Sequence, residues 1–396
     1  MISLDDALAI IAANAPPLPS ESISIVDARD RILATALKAM RTQPPFDAAA
    51  MDGYAARSVD LTGEPVTLAM TGEAAAGHAS NRPIEEGECQ RVSTGAVVPD
   101  GADQVIIQEN CRRIGDSITT AQSPEPGKHI RAAGVDFVAG SELVDAGMSL
   151  TPAAISLAVS AGIRVASVSK RPRVGILSTG DELVEPGENA APAQIINSLG
   201  PGLSALVEQW GGKPVYLGIA RDNAGDVRAK LKHAADVDLL VTIGGASVGD
   251  HDHLRRVFGE MNGQLWFEKI AIKPGKPTWF GALDDTRVLG LPGNPVSAMV
   301  MAQLCLKPLL SGMLGRSTCT SFHSAILTTN LPPNGPRENM MRARLDEETK
   351  TIRPISCQDS SAMSALVSAN ALIRRLPDAV EAAAGDQVSY LCLDDM

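Results

Sequence analysis

The stretch Leu239-Leu240-Val241-Thr242-Ile243-Gly244-Gly245-Ala246-Ser247-Val248-Gly249-Asp250-His251-Asp252 decides the fold. An apolar run ends in a glycine-rich loop, and residues 252–261 then read as a helix. This is one strand-loop-helix unit, and working outward the alternation repeats. Apolar runs lie at Val174 to Leu177, Val215 to Ile219, Leu265 to Ile272 and Val288 to Leu291, with helical stretches at 199–210, 224–235 and 295–310. The pattern predicts a doubly wound, largely parallel α/β domain over residues 169–314.

On the C-terminal side, beyond Gly315, Val, Ile and Leu strands return between Pro- and Gly-rich turns, which predicts a small β domain over 315–396. On the N-terminal side, residues 3–13 read as a helix capped by Ser3, with Asp5 and Asp6 in its first turn. Residues 27–38 read as a second helix, and Arg41 to Phe46 as extended chain because of Pro44 and Pro45. Short runs at 66–71, 103–107 and 117–120 sit between turn residues, before a helix at 153–161 and a strand at Ile163 to Val168. A β-rich domain over 41–140 is thus inserted into a helical, mixed domain made of 1–40 and 141–168.

Composition narrows the function classes. The 396 residues are 44% hydrophobic, 20% charged and only 3% aromatic, with a net charge of −11. That balance predicts a soluble multidomain protein with aliphatic cores, and it argues against a nucleic-acid binder. The six cysteines form no C-x-x-C pair, which fits a reducing cytoplasm without a zinc site or disulfide framework. Met1 to Asp6 carries no basic leader, and the apolar stretch from Ala153 to Val168 is broken by Ser156, Ser160 and Arg164, so no membrane span is expected there.

In doubly wound sheets ligands bind beyond the carboxyl ends of the strands. The loops there are Ser178-Thr179-Gly180-Asp181-Glu182, Ala220-Arg221-Asp222, the Gly244 to Asp252 loop, Lys273-Pro274-Gly275-Lys276-Pro277 and Pro292-Gly293-Asn294-Pro295-Val296-Ser297. Glycine-rich backbone offers N–H donors to phosphate, lysines offer charge, and carboxylates offer hard ligands to Mg²⁺. Taken singly, each loop is equally an ordinary turn, the two lysines a solvated face, and the proline-rich loop a helix start. His251 and His253, two apart, do not share a helix face and make a weak metal pair. Five polar loops at one end of one sheet favour a nucleotide or phosphoester pocket.

Ala50-Met51-Asp52-Gly53-Tyr54-Ala55 and Ser93-Thr94-Gly95-Ala96-Val97-Val98-Pro99, which local physics reads only as turns, complete a pattern with four of these loops: Ser178 to Leu183, Gly244 to Gly249, Lys273 to Pro277 and Leu291 to Ala298. Together they resemble the molybdopterin molybdenumtransferases, the family of the gephyrin E domain, over nearly the whole chain. The resemblance implies an elongated homodimer of four-domain subunits. The active site would lie between the α/β molybdopterin-binding domain of one subunit and the inserted β domain of the other. The implied reaction takes adenylyl-molybdopterin and molybdate to molybdenum cofactor and AMP with Mg²⁺. Other cofactor-biosynthesis proteins or molybdoenzymes are implied partners.

Carried onto matching positions, Asp52, Thr94, Glu182, Asp222 and Asp252 would be catalytic, with Glu182, Asp222 and Asp252 holding Mg²⁺. Lys269, Lys273, Lys276, Arg131 and Arg342 would hold molybdate and phosphate oxygens, and Asp136 closes an Arg-x-x-Gly-x-Asp pattern. Gly244, Gly245, Ser247, Gly249, Pro292, Asn294, Pro295 and Ser297 would line the pterin-nucleotide pocket. The chain departs from the family's common Tyr-Asp-Ser/Thr-Asn run at Ile196-Asn197-Ser198-Leu199, from Gln-Gly-Ser at Gln358-Asp359-Ser360, and from an aromatic within Asn339 to Arg342. The changes at 197 and 199 are expected to tune substrate handling rather than folding. Two rivals remain: the adenylyltransferase that makes the intermediate, and a non-catalytic binding or scaffolding homologue.

Overall fold

The computed structural model describes residues 1–63, 65–245 and 253–393, so Ser247, Gly249 and Asp252 lie outside the described residues. The chain forms two compact units: Met1–Glu21, Asp30–Ala34 and Val168–Met396 make one, and Ser22–Arg29 with Thr35–Ser167 make the other.

The first unit is built on a six-stranded sheet in the order Lys213–Ala220, Arg173–Thr179, Leu239–Ile243, Thr286–Leu291, Trp279–Leu283, Gln264–Phe267. The first four strands are mutually parallel, Trp279–Leu283 runs against them, and Gln264–Phe267, antiparallel to Trp279–Leu283, runs with them again. The largely apolar character of Leu239–Ile243, interrupted only by the buried Thr242, follows from burial on both faces. Alternate residues divide between two cores: Leu239, Val241 and Ile243 pack with Leu203 and Leu206 of the helix Leu199–Gln209, while Leu240 packs with Val227, Leu254 and Val257 of the helices Ala224–His233 and His253–Glu260. This period-two split is the doubly wound arrangement that the sequence predicts.

Two expectations fail locally. Leu265 to Ile272 is not one strand. Gln264–Phe267 forms the sheet edge, whereas Ile272–Lys273 pairs in parallel with Glu338–Asp346 of another sheet. The polar pair Glu268-Lys269 marks the break, and the missing strand, Trp279–Leu283, returns through a tight turn in which Asp284 has φ +52°. Nor is 27–38 a helix. A single 3₁₀ turn covers Ile25–Asp27, Asp30 adopts φ +61°, and Leu37–Lys38 is extended. The apolar spacing of Ile32, Leu33 and Leu37 mimics a helix, but all three are buried without one.

The C-terminal sheet runs Glu338–Asp346, Thr351–Pro354, His323–Leu327, Gln387–Cys392, Ala371–Arg375, and the last strand pairs back with the first. This closes a barrel over a core that includes Leu327, Leu345, Ile352 and Ile373, and closure leaves those strands no free edge. The helical run Pro295–Met313 is long and apolar enough to cross a membrane, with mean hydropathy 1.4, but 89% of its apolar window is buried inside the fold. A π turn at Ala302–Leu306 precedes Pro308, which has no N–H to donate.

The second unit holds a six-stranded sheet in the order Gln104–Ile107, Gly53–Ala56, Glu88–Val92, Val66–Ala74, Ser117–Thr120, Cys111–Ile114. Its helix Pro152–Ser160 starts on a Thr151 cap, whose hydroxyl accepts the Ala154 N–H at 3.2 Å.

Candidate active site

The strand order reverses beside Arg173–Thr179: one crossover leads out to Lys213–Ala220 and the next returns to Leu239–Ile243 on the other side. A crevice opens at the carboxyl ends of such a pair. A cavity of about 940 Å³ lies there, lined by Thr179, Gly180, Glu182, Asp222, Gly244 and Gly245 among others. Gly244 has φ +84°, and a Cβ on it would come within 2.9 Å of the Thr179 carbonyl oxygen, so a glycine is required for the two loops to meet. Asp181 joins the neighbouring loops: its Oδ1 accepts the Asp222 N–H at 3.1 Å, and Arg221 Nη1 donates to the Asp181 and Leu183 carbonyls at 3.3 and 3.2 Å. Glu182 and Asp222 are thereby both exposed in the cavity wall.

A second cavity of about 400 Å³ shares Lys276, Pro277, Pro292 and Asn294 with the first. Its charged lining is wholly cationic: Lys273, Lys276, Arg337 and Arg342. Arg342 is only 2% exposed; its Nη2 donates to the Cys357 carbonyl at 2.9 Å, and its Nε has no partner among the described residues. Burial pulls the guanidinium below its ordinary range, against the opposing pull of Cys357 and Asp359. A buried cation with an unused donor at a cavity wall is costly unless an anion satisfies it. Gln358 holds the adjoining loop, accepting the Arg342 main-chain N–H at 3.1 Å and donating to the Arg342 and Ile355 carbonyls at 2.8 and 2.7 Å. Ser360 ties this loop to the start of the Pro295 helix: its hydroxyl accepts from Asn294 Nδ2 and its carbonyl from the Val296 N–H, both at 3.1 Å.

In the second unit, Asp52 Oδ1 accepts the Thr94 N–H at 2.6 Å and the Thr94 hydroxyl at 2.8 Å. These bonds, main chain first, hold the exposed carboxylate below its ordinary range, with help from Arg91. Gly53 serves close approach rather than the turn expected of Asp-Gly: a Cβ there would fall 2.0 Å from the Ile106 carbonyl oxygen. Ile130–Arg131 pairs with Ala48–Ala49, whose Ala49 N–H donates to Ala96. The segments carrying Arg131, Asp52 and Thr94 are therefore neighbours in one framework. Arg131 and Asp136 are exposed, and Asp136 is anchored through its N–H to the Gln43 carbonyl at 3.1 Å.

The molybdopterin molybdenumtransferase of Haemophilus influenzae is 34% identical to this chain over 98% of both chains. Molybdopterin molybdenumtransferase 2 of Mycobacterium tuberculosis is 35% identical over 93% of each. The chain belongs to the molybdopterin molybdenumtransferase family. Family profiles match in order along it: the MoeA N-terminal region (domain I and II) at 2–162, the probable molybdopterin binding domain at 175–312, and the MoeA C-terminal region (domain IV) at 324–393. Two crystal structures of the molybdopterin biosynthesis MoeA protein from Pyrococcus horikoshii superpose with TM-scores of 0.86 and 0.85, at 30% and 27% identity, over 99% of this chain and 99% and 100% of theirs.

The described residues that the sequence marks as site candidates fall into three places. Glu182, Asp222, Gly244, Gly245, Lys269, Lys276, Pro292, Asn294 and Pro295 line the larger cavity. Lys273, Ser297 and Arg342 line the cationic one. Asp52, Thr94, Arg131 and Asp136 stand on the second unit. The lysine loop reaches the cavities by an unexpected route, because Ile272–Lys273 belongs to the C-terminal sheet. Arg337 of the cationic lining and the joining role of Asp181 are not among the sequence-predicted site residues; the only sequence signal for Arg337 is its charge beyond the α/β segment. Position 197 also proves partly structural. Asn197 is 2% exposed, and its Oδ1 accepts from the Ser178 hydroxyl at 3.1 Å and the Gly200 N–H at 3.2 Å. Leu199 is likewise buried in the main core, although both residues line the larger cavity.

Proposed function

We propose that this chain inserts molybdenum from molybdate into adenylyl-molybdopterin and releases AMP. One observation carries the reading: a cavity whose charges are all positive adjoins a cavity walled by Glu182, Asp222 and the Gly244-Gly245 turn, with Lys276 common to both. A tetrahedral oxyanion suits the first, and a phosphoanhydride the second. Lys273, Lys276 and Arg342 hold molybdate, and Lys269 and Lys276 stabilise charge on the departing adenylate. Electrostatics and positioning supply most of the acceleration of such a step.

Mg²⁺ fits the donor set. Two hard carboxylates beside a phosphate-type turn match the way this ion binds, through one or two carboxylates plus substrate phosphates. Glu182 and Asp222 would hold the ion, with Asp252 a further ligand outside the described residues. When bound, Mg²⁺ neutralises phosphate charge.

The chain divides, in this reading, into 1–40 with 141–168, 41–140, 169–314 and 315–396, and it works in the cytoplasm as a homodimer. Asp52, Thr94, Arg131 and Asp136 of one subunit complete the site of the other. The exposed Asp52–Thr94 pair supports this: it is a preset acceptor that none of the described catalytic chemistry in its own unit uses. The adenylyltransferase reading is disfavoured by the presence of both the Asp52-bearing β sheet and the C-terminal barrel.

Two experiments test the proposal. Purified protein should release AMP from adenylyl-molybdopterin when molybdate is added; retention of the intact adenylate under those conditions would favour the scaffolding homologue. Mixing inactive Asp52→Ala and Glu182→Ala proteins should restore activity through hybrid dimers, and no restoration would contradict a shared site.

A further inference from the structure

The contacts of Asn197 fix the direction of one hydrogen-bond donor in the larger cavity. The Gly200 main-chain N–H can only donate, so the Asn197 atom facing it at 3.2 Å is the carbonyl oxygen, which also accepts from Ser178 at 3.1 Å. The amide nitrogen therefore faces Tyr216 and donates to its hydroxyl oxygen at 2.8 Å. The Glu185 carboxylate can only accept, and it takes the Tyr216 proton at 2.7 Å. Burial first, and Glu185 second, hold that phenol well above its ordinary range, so it stays a donor.

An asparagine amide offers two N–H donors, and only one of them is used here. The other has no acceptor among the described residues, although Asn197 is 2% exposed and lines the cavity. Leu183, Ile195 and Ile196 line the same cavity, the two isoleucines immediately preceding Asn197 in the chain. The two isoleucines are 58% and 52% exposed, an open aliphatic surface inside a cavity. A flat apolar ring would cover that surface and bring an acceptor atom to the amide.

We propose that Asn197 is a specificity-determining donor to a carbonyl oxygen or unprotonated ring nitrogen of the substrate's planar nitrogen heterocycle, and that Tyr216 is the positioning residue that aims it. The inference rests on the transferase reading above. Two rings of that substrate, the pterin and the adenine, share this chemistry.

The test is calorimetric titration of the full chain with AMP and, separately, with molybdopterin. The proteins compared are wild type, Tyr216→Phe, Asn197→Ala and the double variant. Asn197→Ala should weaken one of the two ligands about tenfold, on the scale of one lost hydrogen bond. Tyr216→Phe should weaken the same ligand by less, and the double variant should be no worse than Asn197→Ala, because Tyr216 acts through Asn197. The ligand affected identifies the ring. Tyr216→Phe keeps the shape of a side chain that is 43% exposed, so it remains informative even where Asn197→Ala does not fold. Wild-type affinities for both ligands in Tyr216→Phe, or additive losses in the double variant, would overturn the inference alone. If wild type bound neither ligand, the transferase reading would fall with it.

Discussion

The carboxylate of Asp52 accepts both the main-chain N–H and the hydroxyl of Thr94, at 2.6 and 2.8 Å, across 42 residues of sequence. Its folded value is depressed, so the interaction stabilises the fold above the ordinary carboxylate range, near pH 4 in unfolded chains, and is lost as pH falls through the folded value. Thr94→Val removes the hydroxyl but keeps the larger, main-chain contribution. NMR titration of Asp52 in that variant should shift upward only part of the way to an ordinary aspartate. An unchanged titration would show that the hydroxyl does not act on the carboxylate.

Gly53→Ala should destabilise the β unit selectively. The added Cβ would lie 2.0 Å from the Ile106 oxygen, and Gly53 is paired with Ile107 in the same ladder. Overpacking of this kind costs about 1–3 kcal/mol, and occasionally more. Chemical denaturation followed by peptide-level hydrogen exchange should report weakened protection in Gly53–Ala56 and Gln104–Ile107. Full wild-type protection there would contradict the close approach.

Arg342→Met should lower molybdate affinity more than it lowers stability. The loss is one charge-assisted contact to the anion, about 1.5–3 kcal/mol, or roughly tenfold to a hundredfold in Kd. The fold gives up the bond to the Cys357 carbonyl but also sheds a buried, unpartnered Nε, and these effects oppose one another. Titration calorimetry with molybdate and a melting curve measure the two quantities. A collapsed melting temperature with unchanged molybdate affinity would make Arg342 structural.

Thiol reactivity should divide the cysteines by burial. Burial pushes Cys89 and Cys305 up to about 12, so neither forms appreciable thiolate near neutral pH. Cys319 and Cys357 are exposed. Brief alkylation at pH 7.5, read by mass spectrometry, should modify Cys319 and Cys357 and spare Cys89 and Cys305. Early labelling of Cys305 would mean that the Pro295–Met313 helix opens in the native state.

The strand Leu239–Ile243 is legible in sequence because burial on both faces leaves an apolar run broken only by Thr242, and Gly244-Gly245 marks its carboxyl end. The hairpin strand Trp279–Leu283 is not, since it follows a loop of prolines and lysines and is recognised only by its antiparallel partner Thr286–Leu291. Ile272 reads as a continuation of Leu265, yet it pairs with Glu338, a partner far away in sequence. The chemistry divides in the same way. Glu182, Asp222 and the lysine loop announce themselves by position after apolar runs. The Asn197–Tyr216–Glu185 chain and the unused Nε of Arg342 depend on register and burial, which no local spacing encodes.

Glu182 and Asp222 are proposed to form the ion- and phosphate-holding wall of the larger cavity, beside the cationic cavity proposed to take molybdate. Single-turnover, molybdate-dependent AMP release by folded Glu182→Ala tests it most directly, since Glu182 is exposed and its loss should leave the fold intact. Removal of one preorganised electrostatic group predicts a rate about 10²–10³ lower, roughly 3–4 kcal/mol, with partial rescue by excess Mg²⁺. AMP release at the wild-type rate from folded Glu182→Ala would contradict the account.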